Sequence, residues 1–406
     1  MSFPVLIIFL CFIVPAFLLA CYHLALGTVA LFQKTKKHSS RVPKTRFVVL
    51  IPAHNEELSI TDAVQSILNA DYPQELIDIY VIADNCTDNT ATVAQEQGAN
   101  VIVRNNPEKR GKGYALNKAI KQILDTEIDF DGFFIVDSDA HVEKEAFRSL
   151  DYFARKKPGI PLQLKSVPTQ SDETPLSYFL AVANCLENDF FYAPKSILGL
   201  FILLRGTGMF FPKRISKDFP WNPKSIVEDV DMTLLLLENG ISVQFVAESA
   251  VFSEYPEEKE TMEVQRKRWI GGTFTRIFTH GLTMMFSGLF ASDKVRLDAG
   301  ITFCVLSRPV LLFHLVLTTL SSLILILASE SSWGKIFLVI SMICWLFYTI
   351  YFSFGVFRLG LSAKRIKLLC SCPKELMSYL IFSLRSIVSK SSKEWKRTPR
   401  KAEKTK

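Results

Sequence analysis

Phe134-Ile135-Val136-Asp137-Ser138-Asp139-Ala140 is the stretch from which the rest of the chain is best read. An apolar run ends in two acids spaced one apart, and a small residue follows. Such a run predicts a buried parallel strand that stops where a sheet opens to ligand. Two carboxylates at a strand end repel each other. A divalent cation between them and a phosphate relieves that, and hard oxygen donors suit Mg²⁺ or Mn²⁺. An Asx-turn whose aspartates serve only solvation accounts for the same residues taken alone. The surrounding chain has to decide.

Upstream, Phe47 to Ile51 predicts a strand, Pro52 to Glu57 a polar turn, and the following residues a helix through Leu68. Ile77 to Ile82 is a second strand, ending in Ala83-Asp84-Asn85-Cys86-Thr87-Asp88-Asn89-Thr90, and Val101 to Val103 a third. Arg110-Gly111-Lys112-Gly113 opens a helix containing Leu116 and Ile120. Strands alternating with helices mean an α/β domain with a mostly parallel sheet. Ligands of such sheets bind beyond the carboxyl ends of the strands, so the turns at Asp84 and at Asp137/Asp139 are expected to meet.

Downstream, Leu162 to Val167 is a strand, and Leu176 to Phe191 an apolar-rich helical region. Gly206-Thr207-Gly208 precedes Met209-Phe210-Phe211. Glycines beside a strand mark either a close approach of backbone or a bulge. Ile226 to Met232 opens a helix through Leu237, and its acids Glu228, Asp229 and Asp231 are favourable as capping residues alone. Thr261 to Trp269 is basic with a single Trp, a pattern that also suits an interfacial anchor.

The 406 residues are 49% hydrophobic, with a mean hydropathy of +0.21, so membrane spans are expected. Residues 3 to 32 carry no charge. The basic cluster follows this run instead of preceding it, which favours an uncleaved anchor with its N-terminus outside over a signal peptide. Ile301 to Ala328 and Ile336 to Phe357 form a hairpin of two more spans, kinked at Arg308-Pro309. Met377 to Val388 predicts an amphipathic surface helix. Of the net charge of +7, much flanks the spans, from Lys34 to Arg46 and from Lys390 to Lys406. That placement points to the cytoplasmic face and anionic lipid. No zinc-finger or RNP-like motif accompanies it, so nucleic acid is not expected as a partner. The eight cysteines make neither a disulfide framework nor a zinc ladder; Cys370 and Cys372 are small apolar residues or acylation sites.

Five motifs stand in order: Ile51-Pro52-Ala53-His54-Asn55-Glu56-Glu57, the Asp84–Thr90 turn, Asp137-Ser138-Asp139, Glu228-Asp229, and Gln265-Arg266-Lys267-Arg268-Trp269. With apolar helices behind them, they resemble family 2 glycosyltransferases, in the membrane branch of cellulose, hyaluronan and exopolysaccharide synthases. The resemblance covers residues 46 to 270 and the flanking spans. It implies a GT-A fold, a nucleotide-diphosphate sugar donor, UDP-linked by preference, and Mg²⁺ or Mn²⁺. It further implies roles. Asp84 contacts the base, although Ala83 replaces the first acid that many relatives carry. Asp137 sits near the ribose and the metal, Asp139 holds the metal, and Asp229 is the general base with Glu228 beside it. Glu56, Lys112, Gln265 and Arg268 join the donor site, and Trp269 meets the acceptor.

The expected order is an N-terminal transmembrane helix (1–33), a basic linker (34–45), a GT-A domain (46–256), the QxxRW segment with interfacial helices (257–298), a transmembrane hairpin (299–358) and an amphipathic helix with a basic tail (359–406). The expected function is inverting transfer of sugar to a growing β-linked polysaccharide, by a multi-pass protein of the plasma membrane with a cytoplasmic catalytic domain. Three spans are few for a one-chain channel, so a homodimer, a partner subunit or single transfer to a lipid acceptor are alternatives. A non-catalytic transport or scaffold protein is the alternative of another class, and the intact Asp139, Asp229 and Arg268 set speaks against it.

Overall fold

The computed structural model describes residues 3–33, 42–169, 172–222, 227–253, 280–305, 308–329 and 332–371. They pack as two units. Residues 42–169, 201–222 and 227–253 form an α/β unit, and residues 3–33, 172–200 and those from 280 onward a helical one.

The α/β unit is built on one sheet. Its strands are β1 (Phe47–Ala53), β2 (Ile77–Asp84), β3 (Asn100–Arg104), β4 (Gly132–Ile135), β5 (Ala140–Val142), β6 (Leu162–Pro168), β7 (Met209–Pro212) and β8 (Gln244–Ser253). Their order is β3-β2-β1-β4-β7-β6-β8-β5. β3, β2, β1 and β4 run parallel, β7 is antiparallel to β4 and β6, and β8 is parallel to β6. Phe47, Val48, Val49, Leu50 and Ile51 are all buried, the continuous apolar run that a strand covered on both faces requires. Helices Ile60–Leu68 and Ala146–Lys156 supply Val64, Ile67, Phe147 and Leu150 to the same core.

The strand order reverses between β1 and β4, with β2 and β3 on one side of β1 and β4 on the other. A crevice opens at such a reversal, beyond the carboxyl ends of the strands. Asp84 and Asp137 therefore lie along one edge, with β1 between their strands.

In the helical unit the chain is helical from Phe3 to Phe32, with a π-helical turn at Phe9–Ile13. Residues 175–198 follow as Pro175–Cys185, the π-helical Leu186–Tyr192 and Ala193–Leu198. Leu282–Phe290, Lys294–Val305, Arg308–Ser329 and Ser332–Leu359 complete it. Tyr178, Val182 and Leu186 pack with Tyr351 and Val356. Val5–Phe32 and Ser332–Leu359 are long and apolar enough to cross a membrane. The expected middle span at Ile301 to Ala328 falls on two helices, and its apolar stretch is Leu311–Leu327. The second of these helices, Arg308–Ser329, runs 22 residues. Leu18, Leu31, Ile324, Leu327, Val339 and Leu346 are exposed on these helices.

One charge is sealed inside this unit. Lys195 is 0% exposed, with Nζ 2.9 Å from Asp298 Oδ2 and 2.5 Å from Thr302 Oγ1, and it lies over the Phe191 ring. Tyr22 donates to Asp298 Oδ1 at 2.5 Å, which brings the N-terminal helix into the network. Burial pulls the lysine down to about 8 against the attraction of Asp298.

Candidate active site

One edge of the crevice is made by the turns after β1 and β2. Ala53 pairs with Ala83, so Asn55 and Asn85 leave the sheet side by side, each with a left-handed backbone (φ 56° and 53°). Asparagine tolerates that conformation because its short polar side chain bonds locally. Asn55 Oδ1 accepts from Thr87 N at 2.7 Å, and Asn85 Oδ1 from Asn106 N at 2.6 Å. His54 Nδ1 is 2.7 Å from the Asp84 carbonyl; a carbonyl only accepts, so Nδ1 carries the proton. Glu56 is buried, with Ser59 Oγ donating to its Oε2 at 2.8 Å.

Asp84 Oδ1 receives both Asn85 Nδ2, at 2.9 Å, and the guanidinium of Arg104. Arg104 also donates to the Lys109 carbonyl and lies 5.7 Å from the Tyr114 ring centre. The expectation of an acidic base contact omitted this arginine. Its signal was a basic residue directly after the apolar Val101-Ile102-Val103 of the strand.

The acidic side is gathered by Lys112. Helix Lys112–Leu124 starts at this residue, after Gly111 with φ 125°. Its ammonium lies 2.5 Å from Asp137 Oδ1 and 2.6 Å from the Gly206 carbonyl. Gly206 has φ 79°, and a methyl group there would stand 3.5 Å from Asp229 Oδ2 and 4.0 Å from Lys112 Nζ. Four separate stretches thus converge on one point: the start of a helix, the end of β4, the Gly206–Gly208 loop and helix Glu228–Glu238. Asp137 N donates to Thr207 Oγ1 at 3.0 Å. Gln163, wholly buried in β6, donates to the Thr207 carbonyl at 2.8 Å and accepts from Arg205 N at 2.8 Å, fixing the loop. Thr207 and Gln163 were not anticipated as site residues. A glutamine among the apolar residues of β6 was the available sign.

Burial pushes the Asp229 carboxyl above its ordinary range; the Val230 N–H, 2.9 Å from Oδ1, and the Lys112 ammonium pull it back, and Asp137 adds to the rise. Desolvation pulls Lys112 down, and Asp137, Glu228 and Asp229 together more than reverse this, so its ammonium is held above the ordinary lysine value. The structure thus brings Lys112, Asp137 and Asp229 together, with Glu228 next to Asp229 in sequence and Asp139 two residues after Asp137. Asp84 and Glu56 lie at the turns after β2 and β1. Gln265, Arg268 and Trp269 lie outside the described residues.

Asp137 and Asp139 offer oxygen donors only. Among the described residues no group of three or more His, Cys, Asp or Glu could cage a metal. Two carboxylates nevertheless fit Mg²⁺ or Mn²⁺, which take one or two from protein and the rest from substrate phosphates and water.

Residues 43–272 match the profile of the family described as Glycosyltransferase like family 2. The chain belongs to that family. Among curated glycosyltransferases it is similar to the beta-monoglucosyldiacylglycerol synthase of Synechocystis sp., 27% identical over 59% of this chain and 50% of that protein. It is also similar to the poly-beta-1,6-N-acetyl-D-glucosamine synthase of Staphylococcus epidermidis, 23% identical over 55% of this chain and 53% of that one. It spans about half the length of these two relatives. A solved mannosyltransferase of Pyrobaculum calidifontis, in complex with GDP-Man and Mn²⁺, shares the fold with a TM-score of 0.56 at 13% identity, over 94% of this chain and 98% of that one.

Proposed function

We propose that the chain is a membrane-attached, inverting hexosyltransferase that moves a sugar from a nucleoside-diphosphate donor to a hydroxyl of a lipid acceptor. The observation that carries this is the convergence of the Lys112 ammonium, the Asp137 carboxylate and the Asp229 carboxylate around Gly206, in a chain of this family.

In this reading the base lies against the turns held by Asp84 and Arg104, and the diphosphate faces Lys112. Asp229 takes the proton from the acceptor hydroxyl as its oxygen attacks the anomeric carbon. The new glycosidic C–O bond forms as the bond from that carbon to the donor phosphate oxygen breaks, and the electron pair leaves with the nucleoside diphosphate. A single displacement inverts the anomeric centre. A raised Asp229 pKa makes the carboxylate a stronger base than an exposed aspartate. Lys112 supplies positive charge where the leaving oxygen becomes negative, and Arg268 is assigned the same work. Asp137 and Asp139 would hold Mg²⁺ or Mn²⁺, which when bound neutralises the diphosphate as a Lewis acid.

Membrane attachment is supported by the two long apolar helices and by the leucines and isoleucines they expose, since an exposed apolar surface of this extent needs lipid or protein against it. A lipid acceptor is favoured by the diacylglycerol in the name of the Synechocystis relative. Extension of a polysaccharide is the second reading, favoured by the N-acetylglucosamine polymer synthase among the relatives. The test is transfer by detergent-purified protein, from UDP- and GDP-sugars with Mn²⁺ or Mg²⁺, to diacylglycerol or to oligosaccharide. A single-sugar lipid product supports the proposal. A polymer supports the second reading, and no donor-dependent release of nucleoside diphosphate sinks both.

A further inference from the structure

We propose that Lys112 holds the cation's place on Asp137 until the donor arrives, so that the divalent cation and the nucleoside diphosphate bind as one package. This rests on the functional reading above and adds a coupling to it.

The geometry carries the inference. Lys112 Nζ is 2.5 Å from Asp137 Oδ1, a charge-assisted bond at the short end of its range. The ammonium is also fixed by the Gly206 carbonyl at 2.6 Å and drawn by Glu228 and Asp229. The lysine side chain is 16% exposed and Asp137 37% exposed, so the pair is open to an incoming ligand from the carboxylate side. A carboxylate cluster without a counter-charge attracts any divalent cation in solution. Here the attraction is already answered by an ammonium that belongs to the chain. A cation arriving alone has to displace it from Asp137 and costs the ammonium its shortest ion pair with no new partner in return.

A cation arriving with a diphosphate changes that balance. The phosphate oxygens offer the ammonium a new partner of higher charge, so it can leave Asp137 without losing an ion pair. The move needs only rotation of the four-carbon lysine stem, since Lys112 Cα is fixed at the start of its helix. Cation and nucleotide each raise the other's affinity by the same factor, because the coupling is reciprocal.

The test is Mn²⁺ binding by electron paramagnetic resonance to the full chain in detergent, with and without UDP or GDP, for wild type, Lys112→Gln, Lys112→Arg and Asp139→Asn. Wild type is expected to bind Mn²⁺ at least about tenfold more tightly with nucleotide than without, within the usual range of coupling between sites. Lys112→Gln should bind Mn²⁺ alone more tightly than wild type and lose most of the nucleotide effect. Lys112→Arg, which keeps the charge, should retain it. Lys112→Met serves as a second variant if the glutamine does not fold. Undiminished coupling in Lys112→Gln, or Mn²⁺ affinity without nucleotide no higher than wild type, overturns this inference alone. Wild-type Mn²⁺ binding indifferent to both nucleotides and to Asp139→Asn overturns the donor reading as well.

Discussion

Arg104, the last residue of β3, is ion-paired with Asp84, the last residue of β2, directly across the parallel ladder that joins the two strands. Both side chains are almost closed to solvent, 10% and 9% exposed. The carboxylate that the family pattern assigns to the base is thus held in place by a guanidinium. Arg104→Ala removes a charged hydrogen bond of about 1.5–3 kcal/mol. UDP and GDP affinity should fall by roughly ten- to a hundredfold, with loss of discrimination between them. Calorimetric titration with each nucleotide checks this, and unchanged affinities would detach Asp84 from the base.

Asp229→Asn separates chemistry from binding and predicts a pH effect of known sign. Turnover should fall by about 10²–10⁴-fold, with nucleotide binding nearly intact. Because burial raises the Asp229 pKa, the wild-type rate should climb with pH through a value above the ordinary 3.8. A carboxyl raised in the folded state favours the fold below its unfolded pKa and loses that contribution as pH rises through the folded value. The asparagine variant should therefore melt higher than wild type near pH 8, with the gap closing toward pH 4. Melting curves at the two pH values decide it.

Asp139→Asn should abolish the part of donor binding that depends on Mn²⁺ and leave metal-free nucleotide binding close to wild type, because it removes one ligand charge from a site with few protein donors. Titrating nucleotide with Mn²⁺ and with a chelator gives the two numbers needed.

Gly206→Ala tests the close approach at the centre of the site. A left-handed alanine costs about 1–2 kcal/mol wherever it stands. Gly98, with φ 88° and nothing within 4 Å of an added methyl group, is the control for that strain. Both variants should lose thermal stability. Only Gly206→Ala should also lose turnover, because its methyl group stands against Asp229 Oδ2 and Lys112 Nζ.

Lys195→Met leaves Asp298 buried without its cation, a loss of about 3–5 kcal/mol. Lys195→Met combined with Asp298→Leu removes both charges and should recover most of that stability. Thermal unfolding in detergent distinguishes the pair, and equal losses in single and double variants would refute the ion-pair account.

The parallel half of the sheet was legible because its strands are apolar runs that stop at polar turns, as at Ile82-Ala83-Asp84 and Val136-Asp137. β5 and β8 were not. Ala140–Val142 is too short to show a period, and Gln244–Ser253 mixes Glu248 and Ser249 into its middle, beside the register shift between Leu164 and Lys165 of its neighbour. The acids of the site and Lys112 stood out in sequence; the other groups that hold them did not. Arg104, Thr207 and Gln163 act through contacts between distant segments, and such contacts leave no local pattern. The same holds for Lys195 and Asp298, whose partnership brings together helices 103 positions apart by their numbers.

Residues 172–200 depart from the α/β unit between β6 and β7 to pack with the apolar helices, and the chain then returns to finish the sheet. The family-matched stretch 43–272 contains this excursion whole. No single cut therefore frees the sheet from the helices. A fragment trimmed to the matched stretch would carry Tyr178, Val182 and Leu186 stripped of Tyr351 and Val356. Such a fragment is expected to aggregate. For the same reason the sheet cannot be grafted between relatives as a cassette: the excursion and the helices that receive it must be inherited together.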